Sequence, residues 1–308
     1  MLRLDDLQLF VRTAECGSLS AAARLLECSP AVASAALKRL ERQLQTRLLV
    51  RSTRSLRLTA EGEQFLVHAR AALVSLEEGR QALHGARAEI GGVLQLAAPS
   101  DFGRNVLLPW LDDFQLEHPG LTLRLLLSDH VADLFRAPVD IALRYGEPED
   151  SSLVALPVAP GNRRVLFAAP GYFARQGKPR QVEDLARHNC LLYMLGGRVH
   201  DQWRFTAGRR LLEAKVSGDR LSDDADVVRR WALAGRGLSY KSWLDVAGDL
   251  AAGRLELALE ELRGEAAPLN LICAHRAQLS EPVRLLQAFL RQRCAELLAR
   301  APWAERPA

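Results

Sequence analysis

The sequence has no cysteine or histidine pattern typical of a disulfide framework or a metal site. Five cysteines are present: Cys16, Cys28, Cys190, Cys273 and Cys294. Their number is odd and no CxxC motif occurs, which predicts reduced, mostly buried thiols. The seven histidines also lack metal-ligand spacing, and only His188, next to Asn189 and Cys190, comes near to a cluster. We therefore expect no metal ion and no cofactor.

Long apolar runs and export signals are missing as well. No stretch of about 18 apolar residues occurs, and the N-terminus lacks the basic, apolar and small-residue regions of a signal peptide. With 308 residues, 48% hydrophobic and 25% charged, the composition is that of a soluble protein with two or three domains. We therefore expect a cytoplasmic protein without a membrane partner.

The motifs of common enzyme classes are also lacking. The sequence contains no G-x-S-x-G elbow, P-loop, H-E-x-x-H or G-x-G-x-x-G fingerprint. Residues 237–241 lack the second glycine of a nucleotide-binding loop, and they precede a helix instead of opening one. These absences predict that the protein is not an enzyme.

Positive charge, by contrast, is concentrated near the N-terminus. Residues 24 to 57 contain eight Lys or Arg against two acids, while the rest of the chain is close to neutral. The basic residues are Arg24, Lys38, Arg39, Arg42, Arg47, Arg51, Arg54 and Arg57. Lys and Arg bind the phosphates of duplex DNA through counterion release, so this segment predicts a double-stranded DNA partner.

The same region has the pattern of helix, tight turn and helix. Asp5 and Asp6 precede an apolar stripe that ends at Gly17, which predicts a first helix over residues 5–16. Ser20 is the expected N-cap of a short second helix over residues 21–26. Two helices joined by such a turn are typical of a helix-turn-helix, whose second helix lies in the major groove.

The third helix is expected to be the recognition helix. Ser29 and Pro30 provide an N-cap and a proline at the first helical position, and the helix should end at about Leu44. Its inward face is expected to hold Val32, Ala36, Leu37, Leu40 and Leu44. After it, residues 51–57 alternate basic or polar with small side chains, as a β-wing beside the groove would.

These residues resemble the N-terminal signature of the LysR-type transcriptional regulators. The resemblance is carried by Leu7, Phe10, Gly17, Ser18, Ala21, Ala22, Ala23, Leu25, Ser29, Ser34, Leu40, Glu41, Leu44, Leu48, Arg51, Arg54, Leu58, Thr59 and Gly62. The length and two-part layout also fit that family. The resemblance implies a sequence-specific DNA-binding regulator with an N-terminal all-α winged helix-turn-helix and a long linker helix. It further implies a C-terminal α/β, two-lobed, periplasmic-binding-protein-like domain, which binds a small-molecule effector.

One departure from the family concerns the recognition helix. Ala35 stands where an arginine is frequent, so few side chains remain that can form hydrogen bonds with base edges. Specificity is therefore expected to depend on Ser29, Ser34, thymine methyl contacts and groove shape, with phosphates held by basic side chains. The predicted DNA-binding residues are Ser29, Pro30, Ala31, Ala33, Ser34, Lys38, Arg39, Arg51 and Arg54.

A long amphipathic segment follows the wing. Thr59 is the expected cap of a helix through about residue 86, which at ~1.5 Å per residue would be about 40 Å long. Its apolar stripe of Phe65, Ala69, Leu73 and Leu76 is expected to form a homodimer or homotetramer, as the linker helix does in the family. Packing on its own effector domain is the alternative. Gly91 and Gly92 mark the expected hinge.

Beyond the hinge, strand and helix patterns alternate. Strands are expected at residues 93–98, 121–127, 139–144, 164–168, 190–194, 237–240 and 269–274. Helices are expected at residues 103–117, 182–187, 223–234, 243–252 and 281–298. This alternation predicts parallel sheets covered by helices. The predicted boundaries are 1–58 for the winged helix-turn-helix, 59–90 for the linker and 91–308 for the effector domain, with lobe I at about 92–162 and 266–302 and lobe II at about 163–265.

Three loops at strand ends are candidates for effector binding, because free helix N-H groups attract polar and anionic groups. The predicted effector residues are Ser100, Asp101, Phe102, Ser128, Asp129, Arg144, Tyr145, Arg198, Ser222 and Asp223. The aspartates disfavour a carboxylate ligand unless an arginine pairs with it, so a neutral, zwitterionic or partly cationic ligand is expected. Two alternatives stay open: an architectural DNA-binding protein without effector, and a redox-sensing regulator that uses its cysteines.

Overall fold

A computed structural model describes residues 2–51, 56–83, 90–130, 139–146, 153–273 and 279–304. The chain forms two compact units, Met1–Ala88 and Glu89–Ala308. This division does not separate the long helix after the wing from the first unit. The predicted linker boundaries at residues 59 and 90 therefore stay predictions. Within the described ranges, no helix combines the length and apolar character of a membrane span.

Three helices build the core of the first unit. Helix α1 covers Leu4–Cys16 and ends at Gly17, whose φ of 60° lies in the left-handed region. Helix α2 covers Leu19–Leu25, and helix α3 covers Pro30–Leu44. The Ser29 hydroxyl accepts a hydrogen bond from the Val32 N-H at 3.3 Å, which confirms the predicted cap of α3. The cap predicted for α2 is wrong, because Ser18 and not Ser20 accepts from the Ala21 N-H.

The inward face of α3 differs from the prediction at its first turn. Ala36, Leu37 and Leu40 are buried as expected, but Ala33 takes the place predicted for Val32. Val32 is 58% exposed. At 3.6 residues per turn, Ala33 aligns with the buried residues, whereas Val32 lies about a quarter turn away from the centre of that stripe.

A short hairpin and a long helix complete the first unit. Strands β1 (Leu49–Arg51) and β2 (Leu56–Leu58) pair antiparallel, with Leu49 opposite Leu58, which confirms the β-wing. Helix α4 covers Ala60–Leu83. The Thr59 hydroxyl caps it by accepting from the Gly62 N-H at 2.9 Å, and it donates to the Arg47 carbonyl at 2.7 Å.

The apolar stripe of α4 is mostly used within its own unit. Ala69 is buried in the helix-turn-helix core, and Phe65 and Leu73 pack against that core. The Phe65 ring lies 5.7 Å from the Phe10 ring, centroid to centroid. These three residues therefore pack within their own unit, and the dimerisation role expected for them stays a prediction. Leu76, at 57% exposure, is the member of the stripe that remains on the surface.

Lobe I of the second unit contains a five-stranded mixed sheet in the order β4-β3-β5-β16-β6. The strands are β3 (Gly92–Ala98), β4 (Leu121–Leu127), β5 (Ile141–Tyr145), β6 (Val154–Ala159) and β16 (Leu269–Cys273). Strand β3 runs parallel to β4 and β5, but β16 runs antiparallel to β5 and β6. The expectation of purely parallel sheets is therefore wrong, since the returning strand β16 reverses direction.

The helices of lobe I cover this sheet. Helix α5 (Ser100–Phe102) continues through a π-helical turn, Gly103–Leu107, into α6 (Leu108–Glu117). Helix α10 covers Glu281–Leu298, the predicted bounds. Apolar side chains of α6, α10 and the sheet share one core, which also takes in residues of lobe II such as Phe167 and Val228. The lobes are thus joined by apolar packing as well as by the chain.

Lobe II is built from short strands and helices. Its strands are β7 (Arg164–Ala168), β8 (Leu192–Leu195), β9 (Arg198–Val199), β10 (Gln202–Ala207), β11 (Arg210–Lys215), β12 (Leu221–Ser222), β13 (Ser239–Ser242), β14 (Glu256–Ala258) and β15 (Arg263–Gly264). Its helices are α7 (Pro170–Gln176), a 3-10 helix (Val182–Arg187), α8 (Ala225–Leu233) and α9 (Trp243–Ala251). Strand β13 lies antiparallel to β7, and the pair places Lys241 opposite Val165.

The two crossovers between the lobes lie side by side. Asn162 accepts a hydrogen bond from the Ala267 N-H at 2.9 Å through its main-chain carbonyl. Its side-chain amide donates to the Ala267 carbonyl at 2.6 Å and to the Ser242 hydroxyl at 2.9 Å. A buried side chain with these bonds holds both connections together, so the two crossovers form the seam between the lobes.

Candidate DNA-binding surface and effector cleft

Helix α3 has two opposite stripes. Ala33, Ala36, Leu37 and Leu40 are buried, while Ala31, Ala35, Lys38 and Arg42 are exposed. The exposed stripe follows i, i+4, i+7 and i+11 spacing, so its members lie on one face of the helix. Its N-terminal half is small and apolar, and its C-terminal half is basic. This division suits base edges at the first turns and phosphates further along the helix.

Five exposed cations, which we call the basic surface, carry positive charge in this unit. They are Arg24, Lys38, Arg42, Arg47 and Arg57. None of them forms an ion pair with another residue that the structure describes. Exposed cations of this kind remain available to phosphates. Arg54 and the Arg51 side chain, both predicted to bind DNA, lie outside the described part of the structure.

Two further predicted DNA-binding residues have structural roles. Ala33 is fully buried, so it cannot contact a base. Arg39 binds the buried Asp6 carboxylate: its Nε donates to Oδ2 at 2.8 Å and its Nη2 donates to Oδ1. The hydrogen bond to Asp6 raises the pKa of Arg39 above its ordinary value. Arg39 therefore joins α3 to α1. Of the other predicted residues, Ser29 and Pro30 are exposed at the start of α3, and Ser34 is half-buried.

A cavity of about 90 Å³ lies between the lobes of the second unit. It is lined by Pro99, Asp101, Asp129, Arg144, Tyr145, Arg164, Tyr193, Met194, Leu195, Gly196, Ala225, Lys241, Ser242 and Asp245. A single water needs roughly 10–15 Å³, so the cavity has room for several waters or for the polar end of a small ligand. Three cations and three carboxylates line it.

Lys241 is the central charge of this cavity. It is 2% exposed, and its ammonium donates to Asp101 of lobe I and to the Ala225 carbonyl at 2.6 Å. Asp245 lies 3.9 Å from the same ammonium and accepts from the Tyr145 hydroxyl at 2.6 Å. Burial raises the pKa of Asp101 to about 7, although the Lys241 charge opposes this. Burial also raises the pKa of Asp245.

A second carboxylate binds the start of α8. Asp129 Oδ2 accepts from the Ala225 N-H at 2.8 Å, and Oδ1 accepts from the Ser100 N-H at 2.9 Å. The Ser100 hydroxyl donates to Asp129 and accepts from the Ala225 N-H at 3.0 Å. Free N-H groups at a helix N-terminus favour an anion, and here lobe I supplies one to lobe II.

Further polar contacts join the two lobes beside the cavity residues Asp101 and Ala225. Arg104 of lobe I binds Asp224 of lobe II at 2.9 Å, and Asn105 donates to Asp226 at 2.8 Å. On the lobe II side, the Asp224 carboxylate caps α8 by accepting from the Asp226 N-H at 2.9 Å. These contacts make the arrangement of the lobes depend on a small set of polar side chains.

The structure brings four of the ten predicted effector residues to the cavity: Asp101, Asp129, Arg144 and Tyr145. Ser100 is buried and does not line the cavity. Phe102 is a core residue, packed edge-on against Trp110 and Tyr145, so its predicted ligand contact is wrong.

The remaining four predicted residues do not line the cavity. Ser128 accepts from the His130 N-H through its hydroxyl, and Ser222 accepts from the Asp224 N-H in a local turn. Arg198 is exposed on β9. The exposed Asp223 faces His130 across the cleft at 3.5 Å.

Three charged lining residues were not predicted: Arg164, Lys241 and Asp245. Arg164 and Lys241 lie in short strands whose residues are all buried. Arg164 donates to the Tyr193 hydroxyl and lies 3.3 Å from Glu265. A charged residue inside an apolar strand must be paired when it is buried, and that rule was the available signal.

The buried cysteines have environments that oppose reactivity. Burial raises the pKa of Cys190 to about 12, and it does the same for Cys294. A thiol with such a pKa is protonated at neutral pH and is a poor nucleophile. Cys273 is also buried. The redox-sensing alternative therefore has no support from these three residues.

Comparison with known proteins agrees with both units. The family model of the bacterial regulatory helix-turn-helix protein, lysR family, matches residues 4–63, and the LysR substrate binding domain matches residues 87–295. The HTH-type transcriptional regulator DmlR of Escherichia coli is 31% identical over 293 residues, which covers 95% of each chain.

Solved structures give the same result for the fold. CrgA, a LysR-type transcriptional regulator from Neisseria meningitidis, is 29% identical with a TM-score of 0.57, over 95% of this chain and 98% of that one. Full-length OxyR from Pseudomonas aeruginosa reaches a TM-score of 0.70 over 100% and 99% of the two chains, and at 15% identity it supports the fold alone. DmlR and CrgA are transcriptional regulators. The chain therefore belongs to the LysR family of DNA-binding, oligomeric transcriptional regulators, with an N-terminal winged helix-turn-helix and a C-terminal effector-binding domain.

Proposed function

We propose that this regulator binds promoter DNA through the first turns of α3 and the basic surface, and that a small molecule in the interlobe cavity alters its action there. The observation that supports this proposal is the interlobe cavity, which buried charged side chains from both lobes line. We assign no catalytic step to this cavity. The cytoplasm, where promoter DNA lies, is the proposed location.

The polar network supplies a way for the effector to act. Asp101 and Lys241 join the lobes, as do Asp129 and the Ala225 N-H group. A ligand that enters between these groups must exchange contacts with them. It then favours one arrangement of the lobes to the extent that it binds that arrangement more tightly. An architectural DNA-binding protein would not need such a charged cavity.

The lining contains side chains of both charge signs, which favours a ligand that carries both signs or none. Three cations, Arg144, Arg164 and Lys241, face three carboxylates. A dianion would bring unpaired negative charge close to Asp101, Asp129 and Asp245, which like-charge repulsion disfavours. We therefore propose a zwitterionic or polar neutral effector.

The cavity is tested with a replacement at its rim. Leu195 lines the cavity and is 43% exposed, so Leu195→Trp should fill it without disturbing the core. Val199, at 39% exposure on the adjacent strand, does not line the cavity, and Val199→Trp is the matched control. Amino acids, neutral polyols and dicarboxylic acids are screened for an increase in the unfolding temperature, since a ligand bound only to the folded state stabilises it.

The expected result is an increase of several degrees with a zwitterionic or neutral compound, for the wild-type chain and for Val199→Trp. Leu195→Trp should lose this increase and keep operator binding, measured by footprinting upstream of the neighbouring genes. An undiminished increase in Leu195→Trp would place the effector elsewhere. A response to dicarboxylic acids alone would overturn the proposed ligand class.

The oligomer interface of α4 is a separate proposal, carried by the exposed Leu76. Leu76→Asp should place a charge in a buried helix pair and weaken self-association, at several kcal/mol on the order of a buried unpaired charge. Sedimentation measures the change. Leu73→Asp is not suitable for this test, because Leu73 packs on its own core and its replacement would unfold the unit. Wild-type association of Leu76→Asp would exclude this part of α4 from the interface.

A further inference from the structure

The first turns of α3 have almost no hydrogen-bonding side chains on their exposed face. Pro30, Ala31, Val32 and Ala35 are all exposed and apolar. The Ser29 hydroxyl accepts from the Val32 N-H and caps the helix, which leaves its O-H as one donor at this end. Ser34 is half-buried. The side chains at the end of α3 that enters the groove are therefore unable to read most donors and acceptors of the base edges.

Apolar side chains recognise one feature of the major groove. The C5-methyl group of thymine is the only apolar group that the base pairs present there, and contact with it distinguishes thymine from the other bases. A helix surface of this composition therefore suits thymine methyl groups. The basic part of the same helix, at Lys38 and Arg42, provides phosphate contacts but no base readout.

Val32 is the side chain on this surface best suited to the contact. It is 58% exposed, and it is larger than the alanines at positions 31 and 35. Those small neighbours let the helix approach the bases closely. A valine in a helix has one strongly preferred χ1 rotamer, so the direction of its two methyl groups is fixed and the contact is confined to one base step.

We propose that Val32 is a specificity-determining residue, which reads the methyl group of one thymine in each half-site of the operator. The proposal rests on the DNA-binding function proposed above and adds the base and the chemical group that are recognised. Ala31 and Ala35 act as spacers, and Ser29 holds the end of the helix in position.

The experiment uses the full-length chain. Its preferred duplex is selected from a random pool, and each thymine of that duplex is then replaced singly by uracil, which removes only the methyl group. Wild-type and Val32→Ala are compared on all duplexes. Val93→Ala, which makes the same change at an exposed site of the effector unit, is the control. Circular dichroism checks that Val32→Ala is folded, as we expect because the position is exposed.

For the wild-type chain, one uracil position in each half-site should weaken binding by about fourfold, the effect of one lost methyl contact. Val32→Ala should weaken binding to the thymine duplex by a similar factor and be insensitive to uracil at that position. The inference is overturned if uracil at that position weakens binding of Val32→Ala by the same factor as it weakens binding of the wild-type chain. It is also overturned if no uracil position affects the wild-type chain. Selection of no duplex at all would instead contradict the proposed DNA-binding function.

Discussion

The two units of this regulator use charge in opposite ways. In the DNA-binding unit the cations of the basic surface are exposed and form no ion pairs among the described residues, and the buried carboxylate Asp6 is held by Arg39. In the effector unit the charges at the centre of the cleft are buried and bind one another, with Lys241 between Asp101 and Asp245. Exposed cations contribute little to folding but much to phosphate binding.

Because of this difference, replacement of a charged side chain should have different effects in the two units. Removing an exposed cation should affect binding and leave stability unchanged. Removing a buried one should leave opposite charges without a partner and cost several kcal/mol of stability. The cleft charges therefore make the lobe arrangement sensitive to any group that replaces one of them, as an effector would.

The largest expected effect is that of Lys241→Met. The change leaves Asp101 and Asp245 buried without their shared cation, and it should lower the free energy of unfolding of the effector unit by ~3–5 kcal/mol. The loss should be larger at pH 8 than at pH 6, because protonation of the carboxylates relieves it. Lys38→Met, the control at an exposed lysine, should change stability by less than about 0.5 kcal/mol.

Denaturant unfolding measures both variants. An equal, small effect of Lys241→Met and Lys38→Met would show that the cleft charges are solvated in solution. The contrast between the two units would then be wrong, and the cavity would be a water-filled surface groove.

A second, pH-dependent effect should come from Asp101. The pKa of this carboxyl is about 7 in the folded chain, because burial disfavours its ionised form, against an ordinary value of 3.8. Between these values the folded state binds a proton that the unfolded state does not. Its contribution to stability is therefore present below pH 4 and is lost as the pH rises through 7.

Asp101→Asn should remove this part of the pH dependence. The stability of the wild-type chain relative to the variant should fall from pH 4 to pH 7 and be constant above pH 8, as followed by unfolding at each pH. Asp245 also has a pKa raised by burial, so some dependence in the same direction should remain in the variant. A difference between the two proteins that does not change with pH would contradict the assignment.

Local signals predicted many elements well. Ser29 and Pro30 defined the start of α3, and the bounds of β4 and α10 agree with those read from apolar periodicity. Strand β6 is not among the strands expected from the sequence, because Pro157 disfavours a strand locally, and only pairing with the distant β16 makes this segment a strand. Long-range pairing of this kind has no local pattern in the sequence.

The sites were predicted less completely than the fold. Asp101 follows β3 and Tyr145 is the last residue of β5, at strand ends where ligands are expected, and both line the cavity. Lys241 was missed because its burial depends on Asp101, which is 140 residues away in the sequence. Arg39 was predicted as a phosphate ligand, because its partner Asp6 is 33 residues away and the sequence does not show their contact.

The smallest effect, and the sharpest test of the comparison, separates the adjacent residues Lys38 and Arg39. Lys38 is exposed and forms no ion pair with a described residue, so Lys38→Ala should weaken binding to all duplexes and lower the slope of log affinity against log salt by roughly 1. Arg39 is bound to the buried Asp6, so Arg39→Ala should lower the unfolding temperature of the DNA-binding unit and leave that slope unchanged. Binding is measured at several salt concentrations, at a temperature where both variants are folded. If Arg39→Ala also lowers the slope by about 1 and unfolds at the wild-type temperature, Arg39 releases Asp6 when DNA binds, and the phosphate role predicted from its sequence position is correct after all.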